Sequence, residues 1–282
     1  MIMEKICSKA IEWFKNDETV RAVILVGSHA ENRPTDEWSD YDLSVFCTSD
    51  TAYIDNHDWL ASMGKVWVCL PESLSFDHQT FPTRLVIFEG GFKIDFAFYP
   101  IDTLKQLVKT DPLPDYYNMG YRVLLDKDKL AKNLPKPAYE GFKEVKPTEQ
   151  EFISLIEEFW FEAYHVAKYL KRGDLWSVKF RSGYIQDHLL LKMIVWNEAA
   201  KHNWNYTTHP IGKRLQEWVS KSTWEVLFDV FAHFDQEDSW EKFLNMVDLF
   251  RKLSSDTAEL LNYTYPKILE QNMMGFIFDT KK

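Results

Sequence analysis

The spacing of the apolar residues changes part-way along this chain, and that change limits the fold more than any other feature. Up to about residue 100 they fall into short runs of strand length. Residues 21–27, RAVILVG, read as a buried strand closing on Gly27-Ser28. In residues 39–48, Tyr41, Leu43 and Val45 alternate with Asp40, Asp42 and Ser44, the period of two that marks a strand. Residues 65–70 fit a third strand, and residues 85–89 and 92–99 flank Gly90-Gly91, the composition of a two-residue hairpin turn. Ile6, Ala10, Ile11, Trp13 and Phe14 are spaced for a first helix over residues 3–15, and residues 57–64 fit a short one.

From Thr148 the period becomes helical. Thr148 and Glu151, after Pro147, form a capping-box pattern, and Phe152, Leu155, Ile156, Phe159, Trp160, Ala163, Ala167 and Leu170 make the stripe of a long helix ending near Gly173. Further helices are expected near 175–201, 211–220 and 223–233, and from Asp238 to about Leu261. Between the two regimes, residues 111–147 hold Pro112, Pro114, Pro135, Pro137 and Pro147, which reads as a connecting region with a short strand near 121–125. The expected fold is α+β: a mixed β-sheet domain flanked by helices over residues 1–135, then a helical bundle over 136–282. A length of 282 residues agrees with two domains of about 150 each.

Composition narrows the function. A hydrophobic share of 45% with 27% charged residues excludes a disordered chain or a rod. A formal net charge of −10 argues against a polynucleotide partner, which calls for a basic face, and suits a cationic small molecule. Cys7, Cys47 and Cys69 are odd in number and lack CxxC spacing, pointing to a reducing compartment, and the N-terminus lacks the order of a signal peptide. No apolar run reaches the roughly 20 residues of a membrane helix, so the expected location is cytoplasmic. The composition is compatible with a monomer or a homodimer.

Three carboxylates carry the chemistry. Asp40 and Asp42 share one face of a strand, since side chains two apart point the same way. Asp95 lies mid-strand with Lys93, on the side away from Phe92, Ile94, Phe96 and Phe98. Converging carboxylates are costly unless a cation neutralises them, and Mg2+ is the natural one, held by a few carboxylates plus substrate phosphate oxygens. A pair of such ions holds both the attacking and leaving oxygens of a phosphoryl displacement. Taken singly, each residue has a plainer role: Asp40 as a turn cap, Asp95 as a salt-bridge partner near Lys93 or Arg84. The joint pattern, a strand ending in Gly-Ser, Asp-x-Asp about a dozen residues on and a lone Asp on a later strand, is far more specific.

That pattern resembles the nucleotidyltransferase superfamily of the DNA polymerase beta type. GSHAENRPTDEWSDYDLSVF, FEGGFKIDFAFYP, VLLDKD, KPTEQEFISLIEEFWFEAYHVAKYLKRGDLW and LLLKMIVW together resemble, in the same order along nearly the whole chain, the aminoglycoside 6-adenylyltransferase (streptomycin adenylyltransferase) family. The resemblance implies that Gly27 and Ser28 hold the triphosphate of ATP. It implies that Asp40 and Asp42 bind Mg2+, and that Asp95 completes the metal site or accepts the proton of the attacking hydroxyl. The implied reaction moves AMP from ATP to an aminoglycoside hydroxyl and releases pyrophosphate, an antibiotic-resistance chemistry. One departure is His29, where the family pattern leads one to expect Arg; Arg33 in the following loop is the available substitute.

In the helical region Glu158, Glu162, His165 and Tyr169 share one helix face. That face reads either as solvated surface or as an acidic wall for the ammonium and guanidinium groups of a drug. Trp160 and Trp176 suit either a sugar-stacking role or the core, and Asp187 is a further candidate anion. Lys168 and Lys213 are candidate triphosphate contacts, Lys213 because Gly212-Lys213 reads as a helix start with free N–H groups. Two alternatives stand beside this reading. One is the same transfer to a lincosamide, another aminoglycoside or a protein hydroxyl; the other is a non-catalytic nucleotide-binding module.

Overall fold

The computed structural model describes residues 2–30, 36, 38–76, 79–138 and 142–282; Arg33 lies outside the described residues. Contacts divide the chain into two units, Met1–Tyr139 and Glu140–Lys282. The first unit runs α1 (Ile2–Asn16), β1 (Val20–Val26), β2 (Tyr41–Cys47), a one-turn α2 (Thr51–Ile54), β3 (Val66–Phe76), β4 (Gln79–Phe88), β5 (Phe92–Pro100), α3 (Ile101–Leu107), α4 (Asp115–Asn118) and β6 (Arg122–Asp126). Its strands form one six-stranded sheet in the order β3-β4-β5-β2-β1-β6. Only β2 and β5 pair in parallel; the other neighbours are antiparallel.

The alternation seen in the sequence sorts the side chains onto two faces. Val23, Leu25, Leu43, Val45, Ile94, Phe96 and Phe98 pack under α1 through Ile6, Ala10 and Phe14. Ala22, Ile24, Val26, Phe46, Ala97 and Tyr99 face the other way and are covered by Leu104 and Leu107 of α3 and Tyr117 of α4. α4 forms inside the stretch read from sequence as a connecting region. Pro114 is its N-cap residue, a place where a missing N–H costs nothing. β3 runs well past Leu70, through Pro71, because it is an edge strand and its outer N–H groups have no ladder partner to lose.

The second unit is helical: α5 (Glu149–Arg172), α6 (Leu175–Tyr184), α7 (Leu191–Lys201), a one-turn α8 (Leu215–Trp218), α9 (Lys221–Leu227), α10 (Gln236–Leu261) and α11 (Lys267–Lys281). Two-residue strands β7 (Phe142–Lys143) and β8 (Thr207–Thr208) pair beside them. The capping box at Thr148 is present in both directions, and Gly173 closes α5 at φ 74°. α6 passes into α7 through a π-helical turn, Ile185–Leu190. α10 starts at Gln236, before the expected Asp238, because Asp235 caps it: the Asp235 carboxylate accepts from the Asp238 N–H at 2.8 Å, while Asp238 turns back to the His233 N–H. The helix expected over 211–220 shrinks to α8, because Ile211 and Arg214 take left-handed backbone angles that interrupt it. The core is dense and aromatic, with Phe159 and Phe250 stacked at 3.6 Å. Among the described residues no helix is long and apolar enough to cross a membrane.

Candidate active site

The sheet brings the acidic residues together by register. Asp42 stands opposite Val26, the last residue of β1, on one side and opposite Asp95 of β5 on the other. Immediately after Val26 the chain turns through a short 3-10 segment, Gly27–His29. Gly27 has φ +73°, and a Cβ placed on it would lie 2.0 Å from Asp42 Oδ2. Glycine is therefore required twice here, for the backbone angle and for the space that the Asp42 carboxylate occupies.

Lys93 completes the arrangement. It lies two residues before Asp95 on β5 and so on the same face. Its Nζ donates to Asp95 Oδ2 at 2.7 Å and to Asp40 Oδ2 at 3.0 Å. One ammonium thus bridges two carboxylates. The other Asp95 oxygen, Oδ1, is buried without a hydrogen-bond partner. Burial pushes the Asp95 carboxyl above the usual carboxylate range, and the attraction of Lys93, shared with Asp40, does not offset it. Burial pulls the Lys93 ammonium the other way, but its hydrogen bonds to Asp95 and Asp40 prevail and hold it above its ordinary value. Among the described residues no group of three or more carboxylate, imidazole or thiol side chains is placed to hold a metal ion. The cation that Asp40 and Asp95 share is a side chain of the protein itself.

The surroundings hold this site in place. His29 stacks on Tyr41 with ring centroids 4.1 Å apart, and its Nε2 lies 2.9 Å from the Ser39 carbonyl oxygen, so the imidazole pins the ends of the loop between β1 and β2. Beneath Asp42, Tyr117 donates to the buried Ser44 hydroxyl at 3.0 Å. The neighbouring Tyr116 hydroxyl is pushed well up by burial and by the charges of Asp42 and Asp95, which places it in the field of both carboxylates. Sequence reasoning passed over Tyr116 and Tyr117, which lay among prolines, and did not give Lys93 its bridging role. The signal for Lys93 was there: a cation two residues from an acid on one strand shares its face.

The helical candidates fare unevenly. Trp160 is only 1% exposed and packs in the bundle core, so it cannot stack on a ligand; the aromatic stripe of α5 is wide enough to bury it whole. Glu162 is not a free anion either. It is buried, and both its oxygens accept from Arg181 Nη1, at 2.9 and 3.0 Å. Glu158 is exposed and accepts from the Tyr184 hydroxyl, and Asp187 is exposed in the π-helical turn. The Lys168 ammonium sits over the Tyr164 ring at 4.7 Å. Lys213 is exposed, but no helix starts at it: its N–H donates back to Pro210, closing a 3-10 turn.

The family model described as streptomycin adenylyltransferase matches residues 2–280. The chain belongs to that family. This membership makes it a nucleotidyltransferase. It is 29% identical over 269 residues to the aminoglycoside 6-adenylyltransferase of Bacillus subtilis (strain 168), covering 91% of this chain and 90% of the relative. Its identity to the enzyme of that name from Campylobacter jejuni is 27% over 281 residues, covering 96% and 93%. A crystal structure of an aminoglycoside 6-adenyltransferase from Bacillus subtilis aligns with 99% of this chain and 98% of its own, at 23% identity and a TM-score of 0.46.

Proposed function

We propose that this chain transfers AMP from ATP to a hydroxyl of a streptomycin-like aminoglycoside, with release of pyrophosphate and dependence on Mg2+. The observation that carries the reading is the side-by-side register of Asp42 and Asp95 against the Gly27 turn, in a member of the streptomycin adenylyltransferase family. The residues suit a hard divalent cation. All the donors are carboxylate oxygens, one Asp95 oxygen is buried and unpartnered, and Mg2+ needs only one or two carboxylates besides substrate phosphates. Asp42, with Asp40 or Asp95, would hold it. When bound, Mg2+ neutralises charge on the triphosphate and polarises the phosphorus that is attacked.

The remaining work falls to the chain's own groups. The backbone N–H groups of the Gly27–His29 turn and the Ser28 hydroxyl take the phosphates. Asp95, whose burial raises its proton affinity, accepts the proton of the acceptor hydroxyl. The hydroxyl oxygen bonds to the α-phosphorus, the bond from that phosphorus to the bridging oxygen breaks, and pyrophosphate leaves. Catalysis is then mostly positioning and charge neutralisation. In the helical unit the exposed carboxylates Glu158 and Asp187 are the proposed anchors for the drug's cationic groups, since Glu162 is taken up by Arg181. Lys168 and Lys213 are assigned to phosphate on charge alone.

Incubation of the purified protein with ATP, Mg2+ and streptomycin, followed by pyrophosphate release and mass spectrometry of the drug, tests this reading. Adenylylated streptomycin supports it. Release only with a lincosamide, another aminoglycoside or a protein acceptor moves the assignment to that acceptor. Nucleotide binding without turnover on any acceptor replaces the enzyme with a binding module.

A further inference from the structure

We propose that the Lys93 ammonium is a resident counter-ion, which holds the acidic site together while it is empty and must be expelled when a divalent cation enters. The proposal rests on the assignment of Asp40, Asp42 and Asp95 to the metal–nucleotide site. Its own basis is geometric. Nζ bonds at 2.7 Å to Asp95 of β5 and at 3.0 Å to Asp40, which lies not on a strand, as the alternation suggested, but one residue before β2 begins. The lysine side chain is 31% exposed, so the ammonium is partly withdrawn from water and takes its solvation from these two carboxylates.

Lys93 holds one oxygen each of Asp95 and Asp40, and a cation on the remaining Asp95 oxygen, Oδ1, would still share that carboxylate with the ammonium. A metal coordinated by Asp95 Oδ2 or Asp40 Oδ2 would stand within a few ångströms of the ammonium, and like charges at that distance repel strongly. Entry of the metal is therefore an exchange in which Lys93 must leave, and its flexible four-carbon stem lets it do so without moving β5.

Three consequences follow. The empty site is neutralised in part, so its carboxylates do not drive their strands apart. Metal affinity without nucleotide is reduced by whatever free energy the lysine contacts contribute, since the competent state is only fractionally populated. Metal that arrives with a triphosphate has extra ligands and outcompetes the lysine, which ties occupancy of the site to the presence of nucleotide.

The test uses the full chain without nucleotide, and Mn2+ followed by electron paramagnetic resonance as the probe. Lys93→Met is expected to bind Mn2+ at least about tenfold more tightly than the parent. In EDTA its thermal midpoint is expected to be lower, with the deficit removed by Mn2+. Lys93→Arg, which keeps the charge, is expected to bind like the parent. Mn2+ affinity of Lys93→Met equal to or below that of the parent overturns the proposal. Should that variant fail to fold, Lys93→Gln is read by the same criterion. Mn2+ binding in the presence of ATP, by the parent and by Asp42→Asn, separates the two levels. Binding by the parent and loss in Asp42→Asn, with no gain in Lys93→Met, defeats the counter-ion alone. No binding by the parent even with ATP defeats the site assignment, and the counter-ion with it.

Discussion

Replacing Gly27 by Ala puts the central contact of the site under direct strain. The added methyl would lie 2.0 Å from Asp42 Oδ2 and 3.0 Å from its Cγ, so the carboxylate must rotate away. Holding an L-residue at φ +73° costs about 1–2 kcal/mol, and an off-rotamer aspartate about 1 kcal/mol more. At about 3 °C per kcal/mol for a domain of this size, the thermal midpoint should fall by about 6–9 °C. Turnover should fall much further, about 100-fold, because moving a group that positions the reactants by about 1 Å is worth that much. Gly91→Ala is the matched control: it has φ +80° but nothing within 4 Å of the added Cβ, so it should lose stability and keep its activity. Calorimetry and the pyrophosphate assay read both. Turnover of Gly27→Ala within threefold of the parent, at a temperature where it is folded, would refute the claim that this glycine positions Asp42.

Three further outcomes are expected. Arg181→Met strands the buried Glu162 carboxylate and should cost about 3 kcal/mol in urea unfolding, most of it recovered in the double variant with Glu162→Met; equal losses in the two would remove the pair from the stability of the bundle. Thr148→Ala removes one arm of the capping box of α5 and should lower stability by about 1 kcal/mol, with no effect on Mn2+ binding in the presence of ATP. Burial raises the Glu270 carboxyl, but Arg251 at 2.6 Å and the Tyr265 hydroxyl outweigh it and bring its pKa below the ordinary value. Its stabilisation is then present above the unfolded-state pKa and lost as pH falls through the folded one. Glu270→Gln should therefore be less stable than the parent by about 1 kcal/mol at pH 7, and the gap should close in acid; a gap that persists at about pH 3 would contradict the sign.

Much of this was legible in the amino-acid order because the relevant physics is local. The alternation around Asp42 fixes which side chains share a face, Gly90-Gly91 fixes the hairpin, and Thr148 with Glu151 fixes the start of α5. What escaped depends on partners distant in the chain. Pro71 argues against a strand unless one knows that β3 lies at an edge. Pro112 and Pro114 hide α4, whose Tyr117 is buried only because the sheet lies beneath it. Trp160 and Glu162 sit on a helix whose stripe is wider than its spacing suggests, and Arg181, nineteen residues on, neutralises the glutamate. The metal expectation was drawn from charge repulsion; Lys93 was read as sharing the face of Asp95 and as a possible partner for it, but its second bond, to Asp40, joins residues 53 apart in the chain and no local spacing shows it.

The lone parallel pairing in the sheet, between β2 and β5, has a consequence for how the protein matures. Two parallel neighbours cannot be joined by a tight turn, and here the intervening chain makes the whole β3–β4 excursion before Asp95 comes alongside Asp42. Lys93 meets Asp40 across 53 residues of sequence. During synthesis, then, a chain that has emerged only as far as its first two strands carries Asp40, Asp42 and the Gly27–His29 bend but not Asp95. Asp42 gains Asp95 as its neighbour only when the fifth strand takes its place between β4 and β2, so a substitution that weakens that insertion acts on the acidic pair from a distance.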